Sequence, residues 1–247
     1  MRRTNFRSVA LALTGLLFTA PSLWAQEGPA LLQFRTDVGN LPAVQRGARD
    51  FMNYCSGCHS LKYLRYSRVA EDLGIPDDVM KKNLMFTSDK PGDTIVSSLP
   101  GTAKEWFGQQ PPDLSLETKA RGADWVYTYL LSFYLDGKRP MGVNNTLLPN
   151  VAMPHVLGGL QGWQVKAEEK AGEERKEGAA KFEVVQAGTL SPEDYKAFVS
   201  DLTNFMVYAA EPIATKRVAT GVRVMVYLLV LWALTYMLKK EFWRDVH

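Results

Sequence analysis

Cysteine and histidine are scarce in this chain, with two Cys and three His among 247 residues. That scarcity excludes several classes of site. A structural zinc site wants four ligands, and no second Cys pair exists to complete one. A disulfide between the two Cys would close a loop of only two residues, a poor staple, and no βαβ pattern of the thioredoxin kind surrounds them. Internal repeats are absent. So is a surplus of charge: there are 29 basic and 26 acidic residues, and the first 25 positions hold three of the Arg and no acid. The rest of the chain therefore balances at 26 of each sign. Six basic and two acidic residues lie from Lys216 onward, which leaves positions 26–215 mildly acidic, at 20 against 24. This balance argues against a nucleic-acid partner and permits a basic one.

The two Cys that are present stand in Cys55-Ser56-Gly57-Cys58-His59. This C-x-x-C-H is the attachment signature of a c-type haem. Two thiols add to the two vinyl groups on one edge of the porphyrin, and the His that follows is carried under the ring to ligate the iron. Val44, Ala48, Phe51, Met52 and Cys55 fall at helical spacing, so an amphipathic helix leads into the motif.

Both ends of the chain carry membrane signals. Arg2, Arg3 and Arg7 precede an apolar stretch at 9–18, and Leu23-Trp24-Ala25 offers a cleavage site after Ala25, so residues 1–25 read as a secretory signal peptide. About ten apolar residues are too few to span a bilayer. Export would take the Cys pair to an oxidising compartment. Near the other end, residues 224–238 carry no charge, and the run counted from 218 has the roughly 20 residues that a span needs. Arg223 lies inside that span, where its stem can snorkel to the headgroups. A signal peptide followed by a stop-transfer span predicts a single-pass protein of a bacterial inner membrane. Residues 26–217 would form a periplasmic haem domain, 218–238 a transmembrane helix in lipid, and 239–247 a cytoplasmic tail.

The periplasmic portion reads as mainly α, with helical patches at 42–58, 76–85, 117–134 and 191–209. Ser191, Pro192 and Asp194 make a strong helix start, and Glu211-Pro212 ends that helix. Pro and Gly crowd 91–112 and 137–162, which predicts long loops of the kind that wrap a cofactor. Residues 166–181 hold no aromatic or branched aliphatic residue and read as a solvated charged excursion.

A haem iron above His59 calls for a sixth ligand. Of the nine Met, Met1 goes with the signal, Met225 and Met237 lie in the span, and Met52 is too near the Cys pair. Met80, Met85 and Met206 sit on helical faces that suit core packing. Met153, Met141 and His155 remain, all in Pro-rich loops. Methionine would raise the reduction potential and histidine would lower it, while an open site would suit gas or peroxide chemistry.

From about Val44 to its C-terminus the chain resembles the cytochrome c1 family, the haem subunits of cytochrome bc1 complexes. The resemblance rests on an ordered series of motifs. Cys55 to Ser60 is followed by Pro111-Pro112-Asp113-Leu114-Ser115, Ala120-Arg121 and Asn150-Val151-Ala152-Met153-Pro154. Ala209-Ala210-Glu211-Pro212, a single anchor and Phe242-Trp243-Arg244-Asp245-Val246 complete it. It implies a cytochrome c-like fold with one covalent haem c and His59 and Met153 as axial ligands. It also implies that Pro111 and Pro112 supply a carbonyl to the His59 imidazole and that Arg121 faces a propionate. Gly47 and Phe51 would interlock with Leu202 and Phe205. Two departures stand out: His155 occupies a position where many relatives have proline, and Trp125 one where Tyr is common.

The function expected is single-electron relay, from a Rieske iron–sulfur protein to a soluble or membrane-bound cytochrome c acceptor, beside cytochrome b. No feature of the chain is suited to binding quinol, so it would be part of an enzyme only as a subunit. The competing readings are a membrane-anchored haem enzyme or sensor with an open distal site, and an assembly subunit whose haem is incidental.

Overall fold

The computed structural model describes residues 30–167 and 181–245. The signal peptide expected at 1–25 and its expected cleavage site, all but the edges of the charged excursion and the last two residues lie outside the described residues. Among those described, the chain is mainly α, with nine helices and three small two-stranded antiparallel sheets.

Two helices carry the fold. α1 (Leu41–Tyr54) starts where the Asn40 side chain accepts a hydrogen bond from Ala43 N, and it ends at Cys55. α8 (Pro192–Ala210) begins with Ser191 Oγ accepting from Asp194 N at 3.1 Å, with Pro192 in the first helical position. That is the start the sequence predicts. The two helices pack through Val44, Gly47, Ala48 and Phe51 on one side and Leu202 and Phe205 on the other, all buried. Their backbones meet at Gly47, where a Cβ would stand 2.0 Å from Asp201 O. Only glycine allows that approach.

Between them the chain forms β1 (Leu61–Arg65), α2 (Tyr66–Leu73), α3 (Asp77–Asn83), β2 (Thr94–Ile95) and α4 (Ala103–Phe107). Next come α5 (Glu117–Ala120), α6 (Ala123–Leu131), β3 (Phe133–Leu135), β4 (Val143–Asn145), α7 (Gly158–Gln161), β5 (Gly162–Lys166) and β6 (Phe182–Ala187). The pairs are β1 with β2, β3 with β4 and β5 with β6.

Several expected boundaries move. The helix read over 117–134 is broken at Gly122, whose φ of +93° and ψ of 152° interrupt the turn, and it stops at Leu131 before β3. The helix read over 42–58 ends at Tyr54, so the C-x-x-C segment is a turn. The stretches read as loops at 91–112 and 137–162 contain β2, α4, β4 and α7. The edges of the charged excursion are the paired strands β5 and β6. The segment before α1 is also built in: Leu32, Phe34 and Asp37 donate backbone N–H groups to Thr128 Oγ1, Asp124 Oδ1 and Asn204 Oδ1.

α9 (Ala214–Phe242) follows α8 after only Glu211, Pro212 and Ile213. Its 29 residues make a rod of about 44 Å, longer than the roughly 30 Å hydrocarbon core of a bilayer. Lys216–Phe242 is long and apolar enough to cross a membrane, and its most apolar stretch buries nothing against the rest of the protein. An isolated helix with Val, Leu, Tyr and Trp exposed around it has lipid as its natural solvent.

Candidate functional site

The C-x-x-C-H segment leaves α1 as a tight turn. Cys55 N donates to Phe51 O, and Cys58 N and His59 N both donate to Cys55 O, at 3.0 and 2.8 Å. Ser56 is buried and its hydroxyl donates to Met52 O at 2.7 Å, locking the turn to the helix. The two cysteines are not joined to each other by a disulfide. Burial pushes the Cys55 thiol up to about 12, with Asp50 and Cys58 adding to the shift.

His59 is 8% exposed, and its Nδ1 lies 2.8 Å from Pro112 O. A carbonyl only accepts, so Nδ1 carries the proton and Nε2 keeps a free lone pair. Burial holds the imidazole below its ordinary pKa, against the opposing pull of the Pro112 bond. The ring is therefore neutral at pH 7, as a metal ligand must be. The Pro112 carbonyl is held in turn: Leu114 N donates to Ser60 O, Lys62 N to Asp113 Oδ2 and Tyr63 N to Ser115 Oγ. The Pro-Pro-Asp-Leu-Ser motif is thus stitched to the chain on either side of the His.

Two adjoining lobes of a cleft share Cys55, His59, Gln109, Pro112 and Met153 in their walls. Their empty volumes, counted with the solvent at their open mouths, are about 550 and 830 Å³. The first adds Cys58, Pro111, Phe107 and Val156; the second adds Arg121, Trp125, Tyr129, Leu202 and Met206. The lining is mostly apolar. Two thiols, an imidazole with Nε2 free and a thioether in one apolar cleft fit a covalently attached haem.

Met153 is presented by a loop that is fixed by polar contacts. Asn150, at φ +66°, is held by Arg139, whose Nη1 and Nη2 donate to Asn150 Oδ1 and O, both at 3.0 Å. Asn144 Oδ1 accepts from Asn150 N and Asn145 N, and Asn145 Nδ2 donates to Tyr129 O. The other two candidates do not line the cleft. His155 stacks on Phe133 at 4.8 Å and 4° and meets Trp163 edge-on. Met141 packs against the small core of Phe133, Val143 and Val151. Burial pulls His155 down to about 4.

Arg121 lines the second lobe but has partners of its own. Its Nε lies 2.5 Å from Glu117 Oε1, and its guanidinium sits 4.3 Å over the Trp125 ring. Sequence reasoning missed Gln109, Tyr129, Arg139 and the Asn144–Asn145 pair. Two adjacent Asn in a Gly/Pro-rich loop were the available signal, since such residues bond backbone in irregular segments.

A family model for the Cytochrome C1 family matches residues 36–246. The chain belongs to the cytochrome c1 family. It is 48% identical to cytochrome c1 of Allochromatium vinosum over 98% of this chain and all of that one. It is also 42% identical to a Nitrosomonas europaea protein named ammonia monooxygenase gamma subunit, over 85% of this chain and 86% of that one. Cytochrome c1 of Rhodospirillum rubrum is similar at 27% identity over 83% and 82%. As a cytochrome c1 family member the chain is a membrane-anchored electron-transfer subunit of a bc1-type respiratory complex. It carries a covalently bound c-type haem, works with other subunits such as cytochrome b, and has in α9 a helix that fits the anchor.

Proposed function

We propose that this subunit relays single electrons from a Rieske iron–sulfur protein to a soluble or membrane-bound cytochrome c acceptor. One haem would be held covalently by Cys55 and Cys58, with His59 and Met153 as the side chains that would ligate its iron. When bound, the haem supplies the one-electron couple. The chain's residues hold it, exclude water from it and set its potential. The Pro112 carbonyl orients the His59 ring and raises its basicity through Nδ1, while Pro111 stiffens the segment. Arg121 offers a cation to a propionate. Residues 26–217 face the periplasm of a bacterial inner membrane, 218–238 cross it and 239–247 end in the cytoplasm, after removal of 1–25.

The observation that carries this reading is the shared lining of the two lobes. A neutral imidazole held by Pro112 and the Met153 thioether line the same apolar walls as Cys55. A haem enzyme or sensor would need a distal side without a strong donor, and the thioether argues for relay instead. The test is a pair of variants. Met153→Leu should abolish the weak near-infrared sulfur-to-iron band of the oxidised protein, drop the potential steeply and nearly stop quinol oxidation, because thioether ligation favours ferrous iron. His155→Ala should leave all three close to normal. The opposite pattern would overturn the ligand assignment.

A further inference from the structure

Met153 has a hydrogen-bond donor aimed at its sulfur. Tyr129 Oη donates to Met153 Sδ at 3.5 Å. Nothing about the placement of that hydroxyl is loose. The Tyr129 ring stacks on Trp125 at 4.9 Å and 11°, and meets Phe133 edge-on at 5.1 Å. Its main-chain carbonyl accepts from Asn145 Nδ2 at 2.8 Å, and Asn145 Oδ1 in turn accepts from Leu147 N on the loop that leads to Met153. Donor and acceptor are thus tied to one another by a separate polar clamp.

A thioether sulfur has two lone pairs. One is free to bind a soft metal while the other accepts the phenolic O–H. The hydrogen bond draws electron density from sulfur and makes it a weaker donor to a cation. It also selects one side-chain rotamer of a flexible residue. A weaker donor stabilises ferric iron less than ferrous iron, so the bond raises the potential.

We propose that Tyr129 is a positioning residue that acts through Met153, orienting its sulfur and reducing its donor strength so that the reduced state is favoured. This rests on the reading of Met153 as the axial ligand. Tyr127 is the internal control: two residues away on α6, it packs on Phe34 at 5.0 Å and does not line the cleft.

The experiment uses the full-length chain in its complex. Equilibrium redox titration and the near-infrared spectrum of the oxidised form are compared for the parent, Tyr129→Phe and Tyr127→Phe. Tyr129→Phe keeps the ring stack and removes only the donor. Its redox equilibrium should shift toward the oxidised state by up to about tenfold, or about 59 mV for a one-electron couple, and the sulfur-to-iron band should move. Tyr127→Phe should change neither. Site-specific 3-fluorotyrosine at position 129 keeps the size of the ring with a more acidic phenol, and it should shift the equilibrium the other way. A parent with the band, together with a Tyr129→Phe protein whose equilibrium stays within about twofold and whose band is unmoved, would reduce Tyr129 to a packing residue. A fluorotyrosine protein identical to the parent would do the same. A parent without the band would overturn the Met153 ligation beneath the proposal, a distinct failure.

Discussion

Gly47→Ala tests whether the crossing of α1 and α8 is what holds the haem domain together. A Cβ at position 47 would stand 2.0 Å from Asp201 O, 2.7 Å from Asp201 C and 2.8 Å from Phe205 Cβ, while ordinary contact begins at 3.4 Å. Two of those atoms are α8 backbone, so no side-chain rotation relieves the clash. The helices would have to separate by about 1.4 Å, the difference between 3.4 and 2.0. A gap of 0.5–1 Å already forfeits roughly a quarter to a half of a dispersion contact. Here the losses fall on Phe51, Leu202 and Phe205, all fully buried. Overpacking of this kind costs about 1–3 kcal/mol, and a backbone clash belongs at the upper end. Alanine returns about 1 kcal/mol through helix propensity. The net loss is about 2 kcal/mol, equivalent to about 4–8 °C in Tm for a domain of this size. The assay is a thermal melt of the detergent-solubilised protein followed by circular dichroism in the haem band. Gly159→Ala, where nothing lies within 4 Å of a new Cβ, serves as the control. A Gly47→Ala protein as stable as its parent would refute the reasoning.

Three further outcomes are expected. Arg121→Gln should lower the haem potential by tens of millivolts at most, because it removes a half-exposed, screened cation and leaves Glu117 unpaired beside the cleft; redox titration checks it. Ending the chain before Thr215 should release a soluble domain with an unchanged haem spectrum, since every cleft residue precedes α9; fractionation without cytochrome b and a difference spectrum check it. The hydrogen bond from Lys119, aided by the charge of Arg217, holds the Glu211 carboxyl below its ordinary value of 4.5. Its stabilisation is therefore complete above that value and is lost as pH falls through the lower folded value. Glu211→Gln should flatten the acid limb of a stability profile between pH 5 and 3, and an unchanged limb would remove Glu211 from it.

How legible each part was depends on the range of the interaction that makes it. The haem motif is contiguous because two thioethers and one axial ligand must reach one porphyrin, so five residues suffice to read it. The start of α8 is equally local: Ser191 bonds Asp194 N three residues away. Read from the resemblance alone, the Gly47 contact required knowledge of a partner more than 150 residues distant, and the packing agrees with it. Strands of two or three residues such as β2, β3 and β4 are too short to show alternation. β5 and β6 are paired across the charged excursion, so neither announces the other. His155 and Met153 could not be separated by spacing. What draws the imidazole aside is the Phe133 ring, supplied by a strand 22 positions earlier.

The two proposed iron ligands, His59 and Met153, are secured by different physics, and this decides which perturbations reach which one. His59 is held by a turn of five residues and one carbonyl, itself bracketed by contacts within a few positions of Ser60 and Asp113. Met153 depends on a relay of long side chains: Arg139 on Asn150, Asn144 on Asn150 N, Asn145 on Tyr129 O and Tyr129 on the sulfur itself. Each of those bonds is worth about 1 kcal/mol net, and they share partners, so losing one loosens the rest. Damage to the relay should therefore surface as a change in potential and in the sulfur-to-iron band while covalent attachment and His59 ligation persist. The His59 side should be insulated because, among the described residues, none of the hydrogen bonds named for it passes through α6, β4 or the Asn150 loop.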